Sequence, residues 1–167
     1  MNSMPSLACH PESPCRAVRA IDIDLQRTGG TLLFAYRILG TIDALRLPPR
    51  GLRPLWQHTC CEAFVARPGK PAYHEFNFSP SGDWAAYAFT DYRDGTPMEI
   101  ADPGIAVKAS RQTLELTAAL ALPAENLLLG LSAVIEERDG TLSYWALRHA
   151  PGRPDFHNRE AFALELA

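Results

Sequence analysis

Residues 56–87 read WQHTCCEAFVARPGKPAYHEFNFSPSGDWAAY. Period two runs through this stretch in three pieces, which predicts three strands joined by two turns. In the first piece Thr59, Cys61, Ala63 and Val65 share one face, and His58, Cys60, Glu62 and Phe64 share the other. Arg67-Pro68-Gly69-Lys70-Pro71 is a turn, because proline presets φ and glycine accepts a positive φ. In the second piece His74, Phe76 and Phe78 point one way, while Tyr73, Glu75, Asn77 and Ser79 point the other. Pro80-Ser81-Gly82-Asp83 turns the chain again, and a third strand starts at Trp84. Aromatic and polar side chains therefore crowd one part of a β-sheet.

Working outward, the same period recurs on both sides. Ile21, Ile23 and Leu25 alternate with Asp22, Asp24 and Gln26, and Gly29-Gly30 after Thr28 signals a hairpin. Leu32, Phe34, Tyr36 and Ile38 line one face of the next strand, whose other face is also largely apolar, as in a central strand. Ile42–Leu47 is expected to form a short strand, and the proline-rich loop 48–54 then delivers the chain to Trp56. Tyr92–Pro97 reads as a turn. Ile105–Ser110 and Leu114–Leu122 read as an antiparallel pair. A helix over the second segment competes on propensity, but Thr113, Glu115 and Thr117 alternating outward favour strand. Pro123–Asn126 breaks the pattern. Leu127–Glu137 and Leu142–Arg148 flank Arg138-Asp139-Gly140, a strong hairpin signal. His149–Arg159 is an irregular loop, and Phe162, Leu164 and Leu166 alternate in a final strand. About ten short strands with frequent turns and little helix predict an all-β fold, an antiparallel β-sandwich. Residues 1–16, with three prolines and no periodicity, read as an extended lead-in, and residues 17–167 as one domain.

The segments WQHTCCEAFV (56–65), YHEFNFSPSGDWAAYAF (73–89) and SYWALRHAPGRPDFH (143–157) resemble bacterial DOMON-like domains related to family-nine carbohydrate-binding modules. The resemblance extends from LACHP (7–11) to FALEL (162–166). It implies jelly-roll connectivity and a ligand that is a sugar, haem or unassigned. Family-nine modules clamp a terminal sugar between two tryptophans with a carboxylate nearby. On that pattern Trp56 is the first wall, Glu62 the carboxylate and Trp145 the candidate second wall. The arginine and amides that complete the family's set find no clear match here.

Composition narrows the functional classes. A chain of 167 residues is long enough to bury a core without metal or disulfide. Its formal net charge of -3 gives no reason to expect nucleic-acid or anionic-membrane partners. No apolar run approaches the roughly 20 residues needed to span a bilayer. The start MNSMPSLACHPESPCRAV lacks the charged and apolar regions of a secretory signal, so a cytoplasmic location is expected. Cys9, Cys15, Cys60 and Cys61 are then expected as thiols, small buried hydrophobes rather than a zinc set. Arg46, Arg50 and Arg53 read as a solvated loop face in preference to a site for an acidic sugar.

Polar side chains beside aromatics supply the other candidates: His58, Glu75, Asn77, Trp84, His149, Asp155 and His157. No zinc-type spacing links the histidines, and no phosphate loop, nucleophile elbow, dinucleotide or metalloprotease motif is present. The expected function is non-catalytic binding of a carbohydrate or similar small polar ligand in an aromatic-lined cleft, with no cofactor and no metal. Two alternatives stand beside it. One is a haem or redox module using Met98 with His58, His149 or His157. The other is a protein-interaction module without a small ligand.

Overall fold

A computed structural model describes residues 2–167. Its strands are β1 (Asn2–Ser3), β2 (Ser6–Cys9), β3 (Val18–Thr28), β4 (Thr31–Gly40), β5 (Cys60–Ala66), β6 (Tyr73–Phe78), β7 (Trp84–Asp91), β8 (Asp94–Met98), β9 (Ala106–Ala109), β10 (Thr113–Ala121), β11 (Leu127–Glu136), β12 (Leu142–Ala146) and β13 (Leu164–Leu166). Helix is confined to three 3₁₀ turns, Ile42–Ala44, Leu55–Gln57 and Arg159–Ala161. The fold is all-β and every strand pair is antiparallel.

Hydrogen bonding runs continuously in the order β8-β7-β6-β5-β11-β12-β2-β3-β4-β10-β9, with β1 on β3 and β13 on β11. Laid flat, six strand spacings of about 4.8 Å would put β6 and β4 about 29 Å apart. Instead Phe78 of β6 and Phe34 of β4 meet with ring centroids 5.8 Å apart. The strip is therefore doubled over into two facing layers. One layer holds β3, β4, β9 and β10; the other holds β5–β8 and β11–β13. The seam is β2: Leu7 pairs with Ile21 of the first layer, and Cys9 with Trp145 of the second. The stretch expected as a lead-in thus belongs to the sheet from Asn2 onward; Met1 lies outside the described residues.

The core between the layers is built from the apolar phase of each alternating strand. Ile21, Ile23 and Leu25, Phe34, Tyr36 and Ile38, and Leu114, Leu116 and Leu120 come from one layer. Cys61, Ala63 and Val65, Phe76 and Phe78, and Leu129, Leu131, Ala133 and Ile135 come from the other. Tyr36 is wholly buried, and its hydroxyl donates to the Glu62 carbonyl at 2.7 Å. A buried phenol needs such a partner, and this one ties β4 to the backbone of β5. Gly40 is required where β3 and β4 diverge: a Cβ there would lie 2.1 Å from the Ala17 carbonyl oxygen.

Two local expectations are corrected. Ile42–Leu47 is not a strand; Ile42–Ala44 makes a 3₁₀ turn and Leu45 a single bridge to Glu137. Tyr92–Pro97 is not all turn, because Asp94–Met98 returns as β8 along β7. The reversal needs only Tyr92 and Arg93, and Arg93 takes a left-handed backbone with φ 54°. The segment expected from Leu114 to Leu122 is strand as far as Ala121: β10, Thr113–Ala121, pairs with β4 through nine residues.

Candidate functional site

The face of the second layer that turns away from the core is concave and open. A cleft of about 690 Å³ lies on it. Its floor crosses five adjacent strands: Tyr87 and Phe89 from β7, Glu75 from β6, Glu62 and Phe64 from β5, Val134 from β11, and Leu142 and Tyr144 from β12. Trp56 and Gln57, on the 3₁₀ turn over β5 and β6, form one wall. Arg153, Pro154, Phe156 and His157, from the long loop after β12, form the opposite wall. Arg93 enters from the β7–β8 turn. The volume and the mainly apolar lining with a few converging polar groups are those of a small-ligand site.

Alternation explains the floor. Glu62 is directly opposite Asn77, and Glu75 is opposite Phe64, so all four share the outward phase. Glu62 is 2% exposed, and its Oε2 has no hydrogen-bond partner. Asn77 is fully buried beneath the Trp56 turn, and neither atom of its amide has a partner. Burial, and then the neighbouring Glu75, push the Glu62 carboxyl well above the usual carboxylate range. Burial raises Glu75 to about 7, against the opposing pull of the nearby Asn77 amide and the Arg93 guanidinium. That amide lies close enough to favour the charged carboxylate but not in hydrogen-bonding geometry with it.

The far wall is tied down by a chain of polar contacts. The Tyr73 hydroxyl accepts from the Arg93 amide at 3.0 Å and shares a hydrogen bond with His157 Nδ1 at 2.8 Å. The other ring nitrogen of His157, Nε2, faces Glu75 Oε1 at 3.4 Å. Burial, and then Arg93, hold His157 down to about 4, so the ring is neutral near neutral pH. It stands edge-on to Phe64 and Phe89, with centroids 5.0 and 5.1 Å away. Asp155 accepts from Arg93 Nη2 at 2.8 Å, from the Tyr92 hydroxyl, and from the His157 amide at 3.1 Å. Phe162 completes the cap against Phe64 and Tyr73.

Of the residues expected at the site, Trp56, Glu62, Glu75 and His157 line the cleft together. Asp155 stands behind its wall, and Asn77 lies beneath its floor. Trp145 does not form the second wall. It pairs with Ala133, is 5% exposed, belongs to the inter-layer core, and its indole N–H donates to Ser143 at 3.0 Å. The aromatic facing the cleft from β12 is Tyr144, one residue earlier and hence on the other side of the sheet. Trp84 is also out of the cleft: it pairs with Phe78, whose phase is the core side. His58 sits beside Glu136 at 3.1 Å, away from the cleft. His149 is near the seam, 2.7 Å from the Ala8 carbonyl oxygen and edge-on to His10. Met98 packs on the inter-layer core, on the opposite side of the sheet from His157. Among the described residues no three His, Cys, Asp or Glu are placed to hold a metal ion. The cleft residues not singled out from the sequence are Gln57, Phe64, Tyr87, Phe89, Arg93, Val134, Leu142, Tyr144, Arg153, Pro154 and Phe156. Phe64 and Tyr87 carried a signal, since each shares a phase or a register position with Glu62 or Glu75.

Comparison with known proteins gives a structural likeness. The chain is similar to a crystal structure of a proposed carbohydrate-binding protein from Bacteroides uniformis, with a TM-score of 0.65 at 14% identity. The match covers 95% of this chain and 82% of that one. At that identity the likeness shows the fold. No family model and no curated protein matches the chain.

Proposed function

We propose that this chain is a non-catalytic binding module for a carbohydrate or similar small polar ligand, of the DOMON-like, family-nine type. The observation that carries the reading is the cleft itself: an open cavity in which aromatic faces surround two buried carboxylates. Sugars present apolar C–H faces and polar edges. Trp56, 47% exposed at the rim, Tyr87 and Tyr144 offer planes that remove such faces from water. Glu62 and Glu75 offer acceptors to hydroxyls, and Gln57 and Arg153 supply donors at the mouth. The structural likeness to the Bacteroides uniformis protein points the same way. The second wall of the clamp is the Tyr144–Phe156 side of the cleft, where those two rings meet edge to face at 6.0 Å.

Isothermal titration with a panel of neutral, amino and acidic oligosaccharides tests the reading. At least one sugar is expected to bind with quenching of tryptophan emission, and Trp56→Ala is expected to abolish both signals. Absence of heat and of quenching across the panel would refute it.

A further inference from the structure

The sugar-binding reading leaves the ligand's charge open, and the cleft floor speaks to it. We propose that the cleft takes an amino sugar with a free, protonated amine, seated over Glu62 and Glu75. This inference rests on the sugar-binding reading and narrows it.

Three observations converge. First, the register makes the two carboxylates diagonal neighbours on one face. Glu62 is opposite Asn77, and Glu75 lies two residues before Asn77 on the same strand. Diagonal positions on paired strands are about 7–8 Å apart at Cα, a gap that one small group can bridge. Second, polar atoms there are left without partners. Glu62 is almost wholly buried with Oε2 unpaired, and both amide atoms of Asn77 are unpaired behind it. Buried polar groups of a folded protein are nearly always satisfied, and a cationic partner would replace the proton that burial holds on Glu62. Third, the protein's own cations do not complete the set. Arg93 directs its guanidinium to Asp155 and Tyr92. Arg153 is exposed and makes no ion pair with either carboxylate among the described contacts. His157 presents Nε2 to Glu75 but is held neutral.

An ammonium group meets these demands better than a hydroxyl does. It brings three donors and a compensating charge, where a hydroxyl brings one donor and none. The electron-rich faces of Tyr87, Tyr144 and Trp56 around the floor favour a cation further. An acidic sugar would bring neither the extra donors nor the compensating charge.

The test compares three oligosaccharides of equal length by isothermal titration, at a pH where the amine is charged: a glucosamine oligomer, its fully N-acetylated counterpart and a glucose oligomer. The glucosamine oligomer is expected to bind at least about tenfold more tightly than the other two. Glu62→Gln and Glu75→Gln, which keep side-chain shape, are each expected to weaken binding of the glucosamine oligomer by a larger factor than binding of the two neutral oligomers, and so to remove that preference. Equal or tighter binding of the acetylated or glucose oligomer would overturn the amine assignment and leave the sugar-binding reading standing. If none of the three binds and the wider sugar panel is also silent, both fall together.

Discussion

Replacing Glu75 by glutamine should stabilise this protein at high pH and leave it unchanged at low pH. The carboxyl is raised from 4.5 to about 7, chiefly by burial. Below pH 4.5 it is protonated in both the folded and unfolded chains and contributes nothing. Above 4.5 the unfolded chain gives up the proton while the folded chain keeps it. The folded state then binds more protons, so stability falls as pH rises, until the folded group also ionises near 7. At about 1.36 kcal/mol per pH unit, the loss accumulates to about 3 kcal/mol and stays there above neutral pH. Glutamine fills the same space and carries no charge to desolvate. For a chain of this length, about 3 kcal/mol corresponds to a melting-temperature difference of about 6–12 °C. His157 tilts the other way: with its proton affinity lowered to about 4, it costs stability as pH falls from about 6.5. Both proteins share that slope, so the comparison is made between wild type and variant at each pH. Urea midpoints and melting temperatures near pH 4 and near pH 8 supply it. A variant that gains nothing between the two pH values, or is destabilised at the higher one, would refute the reasoning.

The other expectations are separable by their readouts. Trp145→Ala should cost about 3–5 kcal/mol in urea unfolding, because it empties a core position, whereas Trp56→Ala should stay within about 0.5 kcal/mol and abolish the binding heat and the ligand-induced quenching. Gly40→Ala should destabilise by about 1–3 kcal/mol or more, since its methyl meets the Ala17 carbonyl; thermal melting checks it. Asp155→Ala frees Arg93, Tyr92 and the His157 amide; because the ion pair is partly exposed, stability should change by about 1 kcal/mol or less, while sugar affinity measured by titration falls several-fold. Cys60 and Cys61 are buried and should resist alkylation in the native protein, while the half-buried Cys9 and Cys15 are labelled; mass spectrometry of digests reads this directly.

Local alternation was a sound guide wherever one phase was plainly apolar. Cys61, Ala63 and Val65 were read as one face and Glu62 and Phe64 as the other, and the core and the cleft divide them along that line. The same holds for Phe76 and Phe78 against Glu75 and Asn77. It failed at β12, where both phases carry an aromatic: Ser143 and Trp145 on one, Leu142 and Tyr144 on the other. Choosing between them needs the partner strand, since Trp145 falls beside Ala133 in the row that also holds Leu131 and Ile135.

The amino-acid sequence by itself determined an all-strand chain, the turns that divide it, and which side chains share a face, because a period of two is local to each strand. The tertiary structure alone decided which face is covered by the other layer, and so made Trp145 core and Tyr144 cleft. It alone brought Asp155 back onto Arg93, 62 residues away along the chain, to stand the far wall beside Glu75. Those outcomes depend on long-range pairing and on how the strip of strands doubles over, and no local periodicity encodes either.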